Sequence, residues 1–207
     1  MKISALSKAT GVSTASIKFY LREGLLPAGD AVGPRDAEYG EGHIERLTII
    51  RRLRDMAHLP IATIKRLLTA ADDQAVPVAE LVALAHSAAL PQPELTAEPT
   101  PEQRQAAAHF YAELGWAVPE RSPVFAQTAQ LLGLLRAEQS PTDPQSLAPW
   151  IRAAEQVAQV EVSLVGQQGS RASLVHDIVI GTYLGNQLLI TLRMAAQINQ
   201  AAQAFRK

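Results

Sequence analysis

Residues 3–27, ISALSKATGVSTASIKFYLREGLLP, carry the pattern from which the N-terminal fold is predicted. Ser4 can cap a short first helix whose apolar residues recur at helical spacing. A tight turn follows around Gly11, which supplies a backbone angle that other residues resist. Ser13 can cap a second helix, and Gly24 is predicted to end it. Two short helices joined by a turn of about three residues that contains a glycine form a helix-turn-helix.

Residues 28–71 extend this unit. The segment AGDAVGPRDAEYG, residues 28–40, is rich in Gly, Pro and Asp, and it predicts a loop or a two-stranded wing. Periodic apolar residues then predict one helix from Glu41 to a break at His58-Leu59-Pro60, and another from Pro60 to Ala71. The inward faces are predicted to carry Ile44, Leu47, Ile50 and Leu53 on the first helix, and Ile61, Ile64, Leu67 and Leu68 on the second.

Composition favours helices packed on helices. Apolar residues make up 47% of the chain and aromatic residues only 5%, whereas β-sandwiches lean on aromatic and β-branched residues. The fold class is therefore predicted to be mainly all-α, with a small β wing in an N-terminal winged helix-turn-helix and a C-terminal helical bundle. Asp72-Asp73 and Pro77 mark a shift in composition, which predicts one domain over 1–71 and another over 72–207.

The location of the protein is predicted from what the chain lacks. It has no cysteine, which excludes disulfide bonds and thiolate metal or redox sites. Its start has no long apolar core of the secretory kind, and no apolar run reaches the roughly 18 residues of a membrane helix. The apolar stretch 178–190 is interrupted by glycines and polar residues. We therefore expect a cytoplasmic protein without a membrane contact.

Charge is unevenly distributed along the chain. Residues 1–71 carry 11 Lys and Arg against 7 Asp and Glu, a net charge of +4, and residues 72–207 carry 8 against 13, a net charge of −5. A basic first part suggests that it meets a polyanion, although ordinary scatter also produces an excess of this size.

A helix-turn-helix reads DNA because its second helix fits the major groove, where the first side chains reach base edges. Lysine can donate to guanine, serine and threonine serve several edges, and later side chains are better placed for phosphates. The candidate DNA-binding residues are Ser13, Thr14, Ser16, Lys18, Tyr20 and Arg22 around the second helix, Arg35 and Tyr39 in the wing, and Arg46 and Arg51 on the next helix. The alternatives are a packing role for Tyr20 and a solvated face for the arginines of 51–54.

Several pieces of the chain, in order, resemble the N-terminal domain of the MerR family of bacterial regulators. They are I-x-x-L-x-x-x-T-G-V from residue 3, K-F-Y-x-R-E-G-L-L-P from residue 18, a wing ending in Tyr39, I-x-R-L-x-x-I-R-x-L-R from residue 44, and I-x-x-I-K-R-L-L from residue 61. The resemblance covers about residues 1–70. It implies a winged helix-turn-helix, a homodimer on a palindromic promoter operator, and bent DNA on which RNA polymerase engages both promoter elements.

The resemblance also implies DNA contacts from the positions of Thr14, Ser16, Lys18 and Tyr20, with wing contacts near Arg35 and Tyr39. The wing departs from the family pattern, because Asp36-Ala37-Glu38 stands where many relatives have a basic residue. Many metal and redox sensors of the family use cysteines. Since this chain has none, we expect no soft-metal, mercury or iron–sulfur sensing and no cofactor. The family's long dimer helix is not evident, because residues 78–90 are too few for it.

The rest of the chain is predicted to be helical, near 78–90, 101–115, 123–138 and 146–165, followed by one long helix or a pair across 170–205. Residues 91–101 are predicted to be a linker. The last stretch carries little charge, so it must be buried in its own bundle or against a partner subunit. It is similar, in pattern only, to the C-terminal helices of TetR-type regulators, and we predict that the final helices dimerise the protein.

A small-molecule effector is a further expected partner, since helical bundles often bind ligands between helices. The candidate ligand residues are the polar aromatic side chains His109, Tyr111, Trp116, Trp150, His176 and Tyr183. Each is more often a core or boundary residue than a ligand contact. The five histidines are scattered without an i, i+4 pair, so no metal site is expected.

Two other classes of protein remain as alternatives. An architectural protein would bend DNA without an effector, but it needs little beyond a dimer contact, and the C-terminal part is large. A helical enzyme domain joined to a DNA-binding module is the other. The chain has no phosphate loop, no nucleophile elbow and no dinucleotide fingerprint, so we do not expect an enzyme.

Overall fold

The computed structural model describes residues 1–33, 36–90, 98–164 and 169–204. It confirms a mainly α-helical fold with a small sheet. The elements are α1 (Ile3–Thr10), α2 (Thr14–Arg22), β1 (Asp30–Gly33), β2 (Asp36–Glu38), α3 (Glu41–Asp55), α4 (Ile61–Asp72), α5 (Val78–Ala88), α6 (Pro101–Leu114), α7 (Pro123–Ala137), α8 (Ala148–Leu164) and α9 (Arg171–Ala204). The predicted linker lies mostly outside the described residues.

The chain divides into two compact units. One consists of Met1–Ala89 and Gly166–Lys207, and the other of Leu90–Val165. This grouping by compactness differs from the predicted boundary at residue 71, because α5 and α9 belong with the N-terminal elements. The functional division at residue 71 stays a prediction.

The helix-turn-helix forms as its capping residues dictate. The backbone N–H of Ser16 donates to the Ser13 side chain at 3.1 Å, which satisfies a free donor at the start of α2. The turn places Gly11 at a φ of +67°, a left-handed conformation that suits glycine. The second helix ends at Arg22 with Glu23 as its cap, so Gly24 follows the cap and does not form it.

The core of the first unit lies between α1, α2, α3 and α4. Its fully buried side chains include Leu6, Ile17, Leu47, Ile64 and Leu67. The predicted inward faces of α3 and α4 are largely confirmed, although Ile44 and Ile61 are only half-buried.

The wing is a two-stranded antiparallel ribbon in which Asp30 pairs with Glu38 and Ala31 with Ala37. The predicted alternative of a wing over a plain loop is therefore confirmed for the described residues. The base of the ribbon is tied to the chain start, because the N–H of Tyr39 donates to the Met1 carbonyl at 2.9 Å. This pairing holds the wing beside α1.

The C-terminal segment forms one helix, α9, and not a pair. Its first turns pack against α3, α4 and α5, where Val175, Ile178 and Val179 are buried. From residue 187 to residue 204 every side chain is exposed. The second half of a long apolar helix is thus uncovered within the chain.

By length and composition, α9 is also long and apolar enough to cross a membrane, and it is the one such helix in the parts of the chain that the structure describes. The expectation from the sequence counted only uninterrupted apolar runs and missed it. The core helix of a soluble protein passes the same test, so this property does not by itself indicate a membrane protein.

The second unit has its own small core between α6 and α7. Ala107 and Tyr111 from α6 pack with Phe125, Ala129 and Leu132 from α7, and Trp116 and Leu147 border them. In contrast, α8 has no buried residue.

Candidate DNA interface

The exposed face of α2 carries a stripe of polar side chains. Thr14, Lys18 and Arg22 are all exposed, and a spacing of four residues places them one above another on a helix. Lys18 makes no ion pair with any residue that the structure describes, so its ammonium is available for a base edge or a phosphate. Arg22 lies 3.5 Å from the Glu23 carboxylate and over the Phe19 ring. Among the described residues of α2, these three are the predicted DNA contacts whose side chains are exposed.

The serine hydroxyls at the start of α2 are engaged with one another. The oxygen of Ser13 accepts from the Ser16 N–H and lies 2.9 Å from the Ser16 hydroxyl. The first task of Ser13 is therefore capping, although its exposed position leaves an acceptor lone pair for a donor on a ligand.

Tyr20 lies in the core, and its ring is 2% exposed. Its hydroxyl accepts a hydrogen bond from Nη1 of Arg54 at 2.8 Å. The Arg54 pKa is raised, chiefly by its hydrogen bond to Asp55 and in smaller part by Tyr20. This placement agrees with the packing alternative for Tyr20, and it makes Arg54 the side chain that holds α2 against α3.

Arg46 points into the protein. Its Nε donates to the Leu25 carbonyl at 2.9 Å, and its two terminal nitrogens donate to the Asp72 carboxylate at 2.9 and 2.7 Å. A fork-to-fork pair of this kind is strong and specific in geometry. Because these bonds occupy the guanidinium and the residue is buried, we assign Arg46 to the fold and leave it out of the proposed interface.

Arg51 is half-buried and donates to the Thr10 carbonyl at 3.0 Å. It lies at the turn of the helix-turn-helix, where a Cβ added to Gly11 would stand 3.0 Å from its Nη1. One of its donors thus supports the end of α1, and the others are left for a phosphate. Its neighbour Arg52 is exposed.

The wing brings few positive charges to this surface. Tyr39 is buried and packs edge-to-face on His43, while Arg35 lies outside the described residues. The strands themselves carry Asp30, Asp36 and Glu38, and Lys2 lies 3.2 Å from the Asp36 carboxylate. The described part of the wing therefore offers acidic groups, which do not attract phosphates.

The domain that carries this surface is similar to known proteins. A model of the MerR helix-turn-helix family of regulatory proteins matches residues 1–71. The crystal structure of SCO5550, a proposed transcriptional regulator of Streptomyces coelicolor A3(2), is similar over 99% of this chain and 98% of that one, with 31% identity and a TM-score of 0.71. Residues 1–71 of this chain are a MerR-family helix-turn-helix domain. The resemblance in the sequence is thereby confirmed.

A curated MerR-family relative matches only the N-terminal part. It is the HTH-type transcriptional regulator ZntR homolog of Haemophilus influenzae, 35% identical over 68 residues. The match covers 33% of this chain and 50% of that relative. The likeness to this relative therefore concerns the helix-turn-helix and its neighbours, while the likeness to the Streptomyces protein extends across the whole chain.

Two residues that hold the elements of this unit together, Arg54 and Asp72, were not proposed as functional residues from the sequence. Arg54 lies within the arginine run of α3, and the sequence alternative of a solvated face for that run is wrong for Arg54. Its place could have been suspected from helical spacing, since it stands four residues after the buried Ile50 and seven after the buried Leu47. Asp72 carried no signal of its own, because its partner Arg46 is 26 residues away.

The candidate ligand residues fall into two groups that belong to different units. His109, Tyr111, Trp116 and Trp150 lie in the second unit, and His176 and Tyr183 lie on α9 in the first. Tyr111 is buried with its hydroxyl 2.7 Å from that of Thr128, and Trp116 donates to Glu155 at 3.2 Å. His109 pairs with Glu113, and Trp150 is 60% exposed.

On α9, Nδ1 of His176 lies 2.8 Å from the Asp177 carboxylate, and Tyr183 packs edge-to-face on His58. Nε2 of His176 is buried without a hydrogen-bond partner among the described residues. Within that part of the chain, no group of three or more His, Cys, Asp or Glu side chains could hold a metal ion.

Proposed function

We propose that this MerR-family protein is a DNA-binding transcriptional regulator that binds a palindromic promoter operator as a homodimer. The observation that carries the proposal is the outward stripe of Thr14, Lys18 and Arg22 on a helix whose other side is held by α3. A helix presented in this way fits the major groove. In this assignment Lys18 reads a base edge, while Arg22, Arg51 and Arg52 approach phosphates.

The proposed dimer forms through the uncovered half of α9. Its exposed large apolar side chains are Leu184, Leu188, Leu189, Ile190, Leu192, Met194 and Ile198. Contiguous apolar surface of this kind is rare on a monomer in water. Leu184, Leu188 and Leu192 follow a spacing of four residues, which makes one continuous ridge. A second copy of the same helix supplies a matching ridge, as two-fold symmetry requires.

The proposal includes a response to a small molecule and deformation of the operator. The buried, hydrogen-bonded Tyr111 and the neighbouring Trp116 support the first, because they give the second unit a core with polar edges. Bending an operator costs about 1–6 kcal/mol, which contacts along the bent DNA must offset. An architectural protein would bend DNA but show no gain in thermal stability with any small molecule.

The experiment that tests the function is selection of bound sequences from genomic DNA with the purified full-length protein, followed by footprinting of the best site. We expect a palindrome with half-sites about one helical turn, or a multiple, apart and overlapping a promoter. Binding that shows no sequence preference, and that only falls with rising salt, would contradict a sequence-specific regulator.

A further inference from the structure

The first residue of α9 is anchored on the end of α4. Nε of Arg171 donates to the Ala71 carbonyl at 3.0 Å, and its Nη2 donates to the carbonyls of Asp73 and Val76 at 3.2 and 2.6 Å. Ala71 lies in the last turn of α4, and the other two belong to the turn that leads to α5. One guanidinium therefore binds three backbone oxygens that are about a hundred residues away in the sequence.

These bonds have a clear physical cause. The last carbonyls of a helix have no partner within it and carry partial negative charge. A planar guanidinium has five donors in a fixed fork, so it satisfies several oxygens at once and restricts its own orientation. A lysine at this position would present a single ammonium on a flexible stem. The bonds of Arg171 thus restrict the direction of α9 at its first residue, and the buried side chains of the following turns add apolar packing.

A second arginine also binds the end of α4. The Asp72 carboxylate accepts hydrogen bonds from both terminal nitrogens of Arg46. Nε of Arg46 donates to the carbonyl of Leu25, just after α2. Next to Arg171, the Ser170 hydroxyl donates to the Glu45 carboxylate on α3 at 2.8 Å. Two sets of hydrogen bonds therefore meet at the adjacent residues Ala71 and Asp72, one from the segment after α2 through Arg46 and the other from the start of α9 through Arg171.

We infer that Arg171 is a positioning residue that sets the angle at which α9 leaves the DNA-binding elements, and so the spacing of half-sites that the dimer accepts. The inference rests on the proposed function, since it requires a dimer through α9. The lever is long. At 1.5 Å per residue, α9 extends about 51 Å, so a tilt of about 10° at Arg171 moves its far end by about 9 Å. That shift corresponds to two or three base pairs of about 3.4 Å each.

The test measures spacing preference, which a merely structural contact would not change. Wild-type protein, Arg171→Ala and Arg171→Lys are titrated with duplexes that carry the selected half-sites at the preferred spacing and at spacings altered by one to about five base pairs, half a helical turn. Arg152→Ala is the matched control, because Arg152 is an exposed cation in the other unit. Circular dichroism and light scattering check that each variant is folded and dimeric.

We expect wild type and Arg152→Ala to prefer one spacing by about tenfold or more, and Arg171→Ala to bind all spacings within about threefold while still binding DNA as a dimer. Arg171→Lys should lie between them. If Arg171→Ala fails to fold, the spacing preference of Arg171→Lys relative to the wild type tests the inference instead. A folded variant with the sharp preference of the wild type overturns the inference alone. A wild-type protein without any preferred paired site overturns the proposed function and the inference with it.

Discussion

Arg46 and Asp72 join α3 to the end of α4 through two hydrogen bonds, 2.9 and 2.7 Å long, from a guanidinium whose side chain is 9% exposed. The third bond of Arg46 reaches the carbonyl of Leu25, which closes the helix-turn-helix. One side chain thus connects three segments of the DNA-binding unit. We therefore assign Arg46 to the positioning of α2, since its hydrogen bonds are explained without a contact to DNA.

Replacement of Arg46 by alanine should destabilise the fold. We expect the free energy of unfolding to fall by about 1–3 kcal/mol, because the Leu25 carbonyl and the Asp72 carboxylate lose their donors. Urea unfolding followed by circular dichroism measures the change. Arg52→Ala is the control, since an exposed arginine on the same helix should change stability by no more than about 0.5 kcal/mol. Equal effects of the two variants would refute the assignment of Arg46 to the fold.

Lys18 and Arg22 should separate base reading from phosphate binding. We expect Lys18→Ala to weaken binding to the selected operator by about 1–3 kcal/mol and to relax preference at one base pair. Arg22→Ala should weaken binding to all sequences alike and lower the slope of log affinity against log salt by about one unit. Fluorescence anisotropy on operator variants at several salt concentrations measures both. A uniform loss for Lys18→Ala would reassign that residue to a phosphate contact.

The uncovered ridge of α9 should control the oligomeric state. The double variant Leu188→Asp, Leu192→Asp should convert the proposed dimer into a monomer, because two charges cannot be buried in an apolar interface without a large free-energy penalty. Light scattering coupled to size exclusion measures the mass. Val162→Asp is the matched control, since Val162 is a similarly exposed apolar residue of α8. A double variant that stays dimeric would place the dimer contact elsewhere on the chain.

The contribution of Tyr111 to the free energy of unfolding should decrease at alkaline pH. Burial raises the pKa of its phenol, and the hydrogen bond with Thr128 only partly opposes this. Since the folded pKa lies above the unfolded value of about 10, the contribution of Tyr111 is complete below that pH and is lost as the pH rises through the folded pKa.

The corresponding measurement compares thermal unfolding of wild type and Tyr111→Phe between about pH 8 and 11. The variant should be less stable at neutral pH, because the Thr128 hydroxyl loses its partner. The difference between the two proteins should shrink as the pH rises. A constant difference over the whole range would show that Tyr111 titrates alike in the folded and unfolded states.

The helix-turn-helix could be predicted from the sequence alone, because that unit depends on signals a few residues apart. Ser13 caps α2 through its neighbour Ser16, and Gly11 turns the chain because its own backbone can adopt the left-handed conformation. The Gly-rich and Pro-rich stretch after α2 likewise predicted either a loop or a wing, and the pairing of β1 with β2 shows the wing. These local rules act before any tertiary contact forms, and the same motifs carried the family resemblance.

The sequence did not predict which cations face outward or where the last helix packs, because both depend on tertiary contacts. Arg46, Arg51 and Arg52 follow one another along α3, yet the first is buried, the second half-buried and the third exposed. Their difference arises from Leu25, Asp72 and the carbonyl of Thr10, which no short-range pattern links to them. In the same way, α9 returns to the N-terminal elements because apolar side chains of its first turns are buried there and Arg171 donates to carbonyls at the end of α4. Contacts across a hundred residues depend on the packing of the whole unit, and helical periodicity carries no record of them.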